Sequence, residues 1–310
     1  MNVFNSLENL PKFGKTIFTQ GTFDGVHLGH QKILSKLTAE SKEKGLESVL
    51  MTFWPHPRLL LYPDNNQLKL LQSLPEKLEM LEKCGVDNVI VIPFDKAFSN
   101  QSATFFIEEV LVNKINVASV IFGYDHRFGK GREGDIQLLK KQSLLFNFSV
   151  IEIGVEEISD IAISSTKIRQ ALSEGLIEKA NAYLGRSYSL RGLVVEGMKI
   201  GRTIGFPTAN IKTDIKEKLL PSIGVYLVYS ILDGVKVYGM ANIGYNPTIQ
   251  DKGFSIEVHY IDYQSDLYKK ELEVFFVNRL RDEIKFENLE ELSLNLQLDK
   301  TNALDKIKYL

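Results

Sequence analysis

The first half of the chain alternates short, almost wholly apolar runs with longer stretches at helical spacing. Residues 16–19, 48–53, 89–92, 118–122 and 148–151 read as strands. Their unbroken hydrophobicity fits strands covered by helices on both faces. Between them, Ile33, Leu34 and Leu37 form one helical stripe that Gly45 stops. Ser73 and Glu76 have capping-box spacing, with Leu78 and Leu81 following on one face and Gly85 ending the pattern. Ser102 suits the cap of a helix carrying Phe105, Phe106, Ile107, Val110 and Leu111. This alternation predicts an open, mostly parallel α/β sheet, whose ligands bind beyond the carboxyl ends of the strands.

After about Tyr183 the pattern changes to short, closely spaced strands at 190–195, 224–232, 235–243, 255–260 and 271–277. Asp233-Gly234 between two of them is a hairpin signal. A compact antiparallel barrel is predicted. Leu289, Leu292, Leu296, Ala303 and Ile307 then return to helical spacing, so the barrel should carry a terminal helix. The junction falls near Leu184-Gly185-Arg186, giving domains 1–184 and 185–310.

Composition narrows the function. A chain of 310 residues, 44% hydrophobic and 25% charged, can bury two ordinary cores. A net charge of −2 leaves no electrostatic footprint for nucleic acid or a basic membrane patch. Cys84 is the single cysteine, so neither an intramolecular disulfide nor a cysteine zinc site is available, and its simplest reading is a small buried apolar residue. No leader pattern and no uncharged run of membrane-spanning length is present, so a cytoplasmic protein is expected.

The candidate chemistry begins at the end of the first strand. Gly21-Thr22-Phe23-Asp24-Gly25-Val26-His27-Leu28-Gly29-His30 joins that strand to a helix. Glycines allow a phosphate to approach, and the free N–H groups and dipole of a helix start favour an anion. Two histidines three apart on that turn suit transfer at a phosphate; as a bland alternative they only cap the helix. Ile163-Ser164-Ser165-Thr166-Lys167-Ile168-Arg169 opens a second helix, with Ile168, Ala171 and Leu172 toward the core and Gly175 as its stop. Its hydroxyls suit a triphosphate and Arg169 suits its charge, against the alternative of a well-capped helix with a solvated arginine. The loop 122–132 follows another strand and carries Asp125, Arg127, Lys130 and Arg132 between Gly123, Gly129 and Gly131. Trp54-Pro55-His56-Pro57-Arg58 is a stiff turn whose ring either stacks on a flat heterocycle or packs into the core.

In the second half, residues 197–210 are punctuated by Gly197, Gly201 and Gly205 and lack the spacing of a P-loop. Thr208 and Asn210, two apart on an extended segment, share a face and offer oxygens suited to a hard cation. Alternation puts Ser255, Glu257 and His259 on one strand face, where Glu257 is either a general base for a hydroxyl or an exposed strand carboxylate.

GTFDGVHLGH, TFWPHPR, FGYDHRFGKGREGD and ISSTKIR, followed by GRTIGFPTANI, resemble the bacterial bifunctional riboflavin kinase/FAD synthetase family over nearly the whole chain. The resemblance implies a Rossmann-like nucleotidyltransferase domain with an HxGH motif, then a riboflavin kinase barrel. It implies that the second domain phosphorylates riboflavin to FMN with ATP, and that the first adenylylates FMN to FAD and releases pyrophosphate. Carried over residue by residue, His27 and His30 act at the reacting phosphate. Gly21, Thr22, Phe23, Asp24, Gly29, Asp125, Arg127, Ser164, Ser165, Thr166 and Arg169 then hold the ATP of the adenylyltransferase. Thr208 and Asn210 bind magnesium, and Glu257 is the base of the kinase. Gly197, Gly201, Arg202, Gly205, Pro207, Asn242, Arg279 and Arg281 lie on its nucleotide and flavin side. The chain departs from the family pattern at Trp54, Tyr124, His126 and Lys269. Riboflavin, FMN and ATP are the expected small-molecule partners, with neither nucleic acid nor membrane, and homo-oligomerisation stays open. Two rivals remain: a flavin- or nucleotide-binding regulatory protein of the same fold with an activity lost, and a class I tRNA synthetase-like nucleotidyltransferase. The latter would need a KMSKS-like loop and a basic surface, and the chain has neither.

Overall fold

The computed structural model describes residues 1–61, 68–124, 126–154, 163–213, 217–245 and 253–310. The chain divides into two compact units, Met1–Ser165 and Thr166–Leu310.

The first unit is a six-stranded sheet built from β1 (Asn2–Phe4), β2 (Thr16–Gln20), β3 (Glu47–Phe53), β4 (Asn88–Ile92), β5 (Val117–Gly123) and β6 (Ser149–Ile153). Every neighbouring pair is parallel, and the order is β1-β4-β3-β2-β5-β6. All five residues of β2 are buried because helices cover both faces of the sheet. Ile17, Leu50, Val89 and Ile121 face Leu34 and Leu37 of α1 (Leu28–Lys44) and Leu81 of α2 (Leu74–Lys83). Phe18, Met51, Phe53 and Phe122 face the opposite core, with Phe106, Ile107 and Val110 of a π-type helix, Phe106–Lys114, and Leu139 of α3 (Ile136–Phe146). Chain direction across the sheet reverses at β2: β3 and β4 lie on one side, β5 and β6 on the other. Ligand crevices open at such switch points, beyond the carboxyl ends of the strands. The segment 21–30 leaves β2 at that point.

Several signals act as read. Ser73 caps α2 in a full capping box with Glu76, and Gly45 ends α1 at φ 63°. Some features were not foreseen. β1 is three residues long, too short to display a period, and pairs with β4. The helix capped by Ser102 begins with regular winding at Ala103–Phe105 and widens to π winding at Phe106.

The second unit holds a closed barrel, β10-β11-β8-β7-β12-β9, antiparallel throughout. Its strands are β7 (Tyr188–Val195), β8 (Ala209–Lys212), β9 (Gly224–Leu232), β10 (Val235–Gly244), β11 (Ser255–Tyr260) and β12 (Glu271–Arg281). Tyr226, Val228, Ala241, Val258, Val274 and Phe276 are all fully buried. Closure leaves no exposed sheet edge. The sequence placed the junction at 184/185, whereas contacts divide the chain at 165/166. Residues 166–184, on α4 (Ser165–Ser173) and α5 (Ile177–Leu184), pack with the barrel. The Asn181 amide donates to the Phe276 carbonyl at 2.8 Å and accepts from the Tyr188 N–H at 2.7 Å.

The terminal helix α6 (Leu289–Ile307) is fastened by a buried ion pair. Arg281 grips Asp299 with two nitrogens, at 2.9 and 2.7 Å, and Asp299 is 3% exposed. Truncating one partner strands the other charge. Asp299→Ala is therefore expected to destabilise the second unit by about 3 kcal/mol, read as a lower urea midpoint. The apolar pair Arg281→Met with Asp299→Leu should recover most of that loss.

Candidate functional site

The turn between β2 and α1 is held in an unfavourable backbone conformation. Phe23, Gly25 and Val26 have φ of 46°, 87° and 37°. Glycine takes such angles freely, whereas Phe23 and β-branched Val26 are strained by on the order of 1–3 kcal/mol each. His27 then caps α1: its Nδ1 accepts from the His30 N–H at 3.3 Å. The imidazole proton of His27 must accordingly sit on Nε2. The two rings stack, 3.6 Å between centroids and 18° apart, with Phe23 leaning on His30 at 5.1 Å. No acidic side chain occupies the first turn of α1, so its positive dipole end keeps its attraction for anions. Gly21 passes so close to the Phe23 ring that a Cβ there would lie 3.1 Å from it.

Asp24 is 2% exposed and points inward. Its carboxylate accepts from the Leu71 N–H at 3.0 and 3.3 Å, while its backbone carbonyl accepts from the Ser165 hydroxyl at 2.8 Å. That last bond joins the first motif to the hydroxyl-rich turn, within one unit. Ser164 precedes it, partly buried, and Thr166 and Arg169 continue along α4, exposed and partly buried respectively. Gly175 follows α4 at φ 74°.

The third loop is only partly as anticipated. Asp125 lies outside the described residues. Arg127 forms an exposed ion pair with Asp135, the cap of α3, at 2.8 Å. Gly129, at φ 73°, passes the Ala103 backbone with no room for a side chain. Tyr124 is half exposed, whereas His126 lies flat on Phe122 at 3.8 Å with its Nε2 sealed from solvent. Burial, then the nearby Arg132 charge, lowers its pKa to about 4.

Sequence reasoning missed Lys77. It lies on α2 among residues that read only as a capped amphipathic helix, and it is 2% exposed. Its ammonium donates to the Thr22 carbonyl at 2.8 Å and to the Thr52 hydroxyl at 3.4 Å, 5.6 Å from the centre of the Trp54 ring. Burial lowers its pKa to about 8, against the attraction of Asp24.

In the second unit Glu257 is the hub. Its Oε2 accepts from the Thr208 hydroxyl at 3.0 Å and its Oε1 from Ser255 at 3.2 Å. Across the ladders Glu257 stands opposite Asn242 on β10 and Asn210 on β8. Directly opposed residues share a face, so Asn242, Glu257 and Asn210 make a polar row. The loop before β8 lies over this row: a Cβ at Gly197 would run into the Asn210 amide, and one at Gly201 into the Phe206 carbonyl. Gly205 turns at φ 83°, and the Phe206 N–H closes the loop on Gly201 at 2.7 Å. Pro207 offers its carbonyl to His259 Nδ1 at 2.9 Å, and burial lowers the pKa of that imidazole. Arg202 is exposed on a short helix, Ile200–Thr203. Arg279 binds the Glu174 and Ile223 carbonyls and Asp282, and Arg281 binds Asp299. These two arginines thus have protein partners at the end of β12.

Thr208 and Asn210 supply neutral oxygens beside one carboxylate, and among the described residues no cluster of three His, Cys, Asp or Glu exists. Such a donor set fits magnesium, which keeps waters and leans on substrate phosphates, better than zinc.

The fold and these two sites define a phosphate-transferring protein with a nucleotidyltransferase-type sheet and a separate barrel. The FAD synthetase family model matches residues 11–167 and the riboflavin kinase model residues 184–307. The bifunctional riboflavin kinase/FMN adenylyltransferase of Listeria monocytogenes is 39% identical over 93% of this chain and 91% of its own. That of Escherichia coli is 37% identical over 96% and 95%. A crystal structure described as a macrolide-efflux protein from Streptococcus pneumoniae superposes with a TM-score of 0.86 at 29% identity, covering 96% and 97%. The chain belongs to the bifunctional riboflavin kinase/FAD synthetase family, which sets the tRNA synthetase alternative aside. Among the described residues no helix is long and apolar enough to cross a membrane.

His126 gives the first unit an acid-sensitive element. Folded, it stays neutral down to about pH 4; unfolded, it protonates near 6.5. Its stabilising contribution is complete above pH 6.5 and is lost as pH falls toward 4, by about 2–3 kcal/mol. His126→Phe should flatten that part of the urea-midpoint profile between pH 7 and 4.5.

Proposed function

We propose that this chain is a cytoplasmic bifunctional enzyme, making FMN from riboflavin and ATP in its barrel domain (185–310) and FAD from FMN and ATP in its sheet domain (1–184). The observation that carries the reading is the pairing of two separately folded units, each matched by the model of one activity.

In the barrel, Glu257 takes the proton of the riboflavin 5′-hydroxyl, whose oxygen attacks the γ-phosphorus of ATP and expels ADP. The bonds from Thr208 and Ser255 fix the orientation of that carboxylate. Thr208 and Asn210 hold magnesium, which when bound shields the charge of the phosphates. Gly197, Gly201 and Gly205 let the loop backbone approach the nucleotide, with Arg202, Pro207 and Asn242 beside it and Arg279 and Arg281 on the flavin side.

In the sheet domain the FMN phosphate attacks the α-phosphorus of ATP and pyrophosphate leaves. That phosphate is ionised at neutral pH, so no strong base is required. His27, His30, Ser164 and Ser165 align the groups and stabilise charge, with the 21–24 backbone, Gly29 and the Asp125–Arg127 loop around the nucleotide. The strained turn and the Ser165–Asp24 bond support this assignment, because both fix the motifs before substrate arrives.

With riboflavin and Mg·ATP the full chain should yield FMN first and FAD later, pyrophosphate appearing with FAD. Glu257→Gln should cut FMN formation by about 10²–10⁴ and leave FAD formation from supplied FMN intact; wild-type FMN synthesis would remove Glu257 from the base role. His30→Ala should do the converse, lowering pyrophosphate release by about 10². A purely regulatory flavin binder would bind FMN and ATP without releasing pyrophosphate.

A further inference from the structure

Lys77 is a buried charge that the roles above leave unused. Burying an ammonium is costly unless its contacts repay it. Here the contacts are one main-chain carbonyl, one hydroxyl, the face of Trp54 and the field of Asp24. The carbonyl belongs to Thr22 and also accepts from the Thr52 hydroxyl at 3.2 Å. Two donors therefore fix one peptide group, and that peptide opens the strained stretch Phe23–Val26.

The Thr22–Phe23 peptide is trans, so its N–H points opposite to its carbonyl. Holding the carbonyl toward Lys77 therefore sets the Phe23 N–H on the side of the peptide facing away from Lys77. Neither the Thr22 nor the Phe23 N–H donates to any described residue. A cation on a peptide oxygen also polarises the amide and strengthens its N–H as a donor. We propose that Lys77 is a positioning residue for adenylyl transfer: through the Thr22 carbonyl it aims the Phe23 amide, and polarises it, as a preset donor to the phosphates of the nucleotide.

The inference rests on the adenylyltransferase reading of the first unit, and the two fail differently. If that reading is wrong, wild-type protein forms no FAD from FMN and Mg·ATP. If the reading holds, the full-length Lys77→Met variant, which keeps the side-chain length without the charge, should lose at least about tenfold in adenylyl-transfer kcat, while riboflavin kinase activity of the same chain stays within about twofold. The wild-type adenylyl-transfer rate should also fall above about pH 8, where Lys77 loses its proton. The kinase rate should not share that limb, and Lys77→Met should lack it. The charged groups facing one another here are Lys77 from α2 and Asp24 from the β2–α1 turn. Should Lys77→Met fail to fold, Thr52→Val removes the second donor to Thr22 at a fully buried position and is expected to lower adenylyl-transfer kcat by about two- to fivefold, with kinase unchanged. Wild-type FAD synthesis and an unaltered pH profile in Lys77→Met would overturn the proposal. With that variant unfolded, wild-type rates in Thr52→Val together with no alkaline limb in the wild type would do so.

Discussion

The turn that carries the chain from β2 into α1 is the constraint around which the first unit is arranged. Its backbone goes where phenylalanine and valine resist going, at φ 46° and 37°. Such angles persist only when surrounding contacts over-determine them. Five separate segments provide those contacts. Thr52 and Lys77 fix the Thr22 carbonyl, Leu71 binds the Asp24 carboxylate, Ser165 binds the Asp24 carbonyl, and the stacked imidazoles close the far end. The result is a braced turn at the switch point of the sheet, the position at which sheets of this kind open their ligand crevices.

The barrel solves a different problem. It holds one carboxylate, that of Glu257, in a single orientation. Register alone puts Asn242, Glu257 and Asn210 in line across three strands, and the hydroxyls of Thr208 and Ser255 fix the carboxylate. Glycine at 197 then lets the loop backbone lie against this row, and glycine at 201 lets the loop close on its own Phe206 carbonyl, where any side chain would collide. Glycine's value here is absence of volume, more than freedom of φ, since only Gly205 of the three turns at positive φ.

Much of this was legible in the sequence because the signals are local. The buried strands 48–53 and 118–122, the Ser73 capping box, the stops at Gly45 and Gly175 and the Asp233-Gly234 hairpin each follow from a few adjacent residues. β1 escaped because three residues carry no period, and β8 because it is four residues long after a glycine-rich loop. The alternation argument that put Glu257 and His259 on one face held because β11 is regular. What the sequence withheld were contacts between distant segments: Ser165 with Asp24, 141 positions apart, and Lys77 with Thr22, 55 apart.

Lys77 shows why such residues are hidden. Glu-Lys beside a proline at a capped helix start reads as a solvated face, and composition ranks a lysine as exposed. Only packing reveals that this one points inward beneath the β2–α1 turn. A buried lysine conflicts with the hydrophobic pattern that otherwise specifies α2, whose neighbours Leu74, Leu78 and Leu81 pack on β3 and β4. Local rules and global fold agree almost everywhere in this chain, so a disagreement at one fully buried position has to be repaid somewhere. Its two hydrogen bonds go to the adjoining strand and the β2–α1 turn, and to nothing else described, which places the repayment at the turn itself.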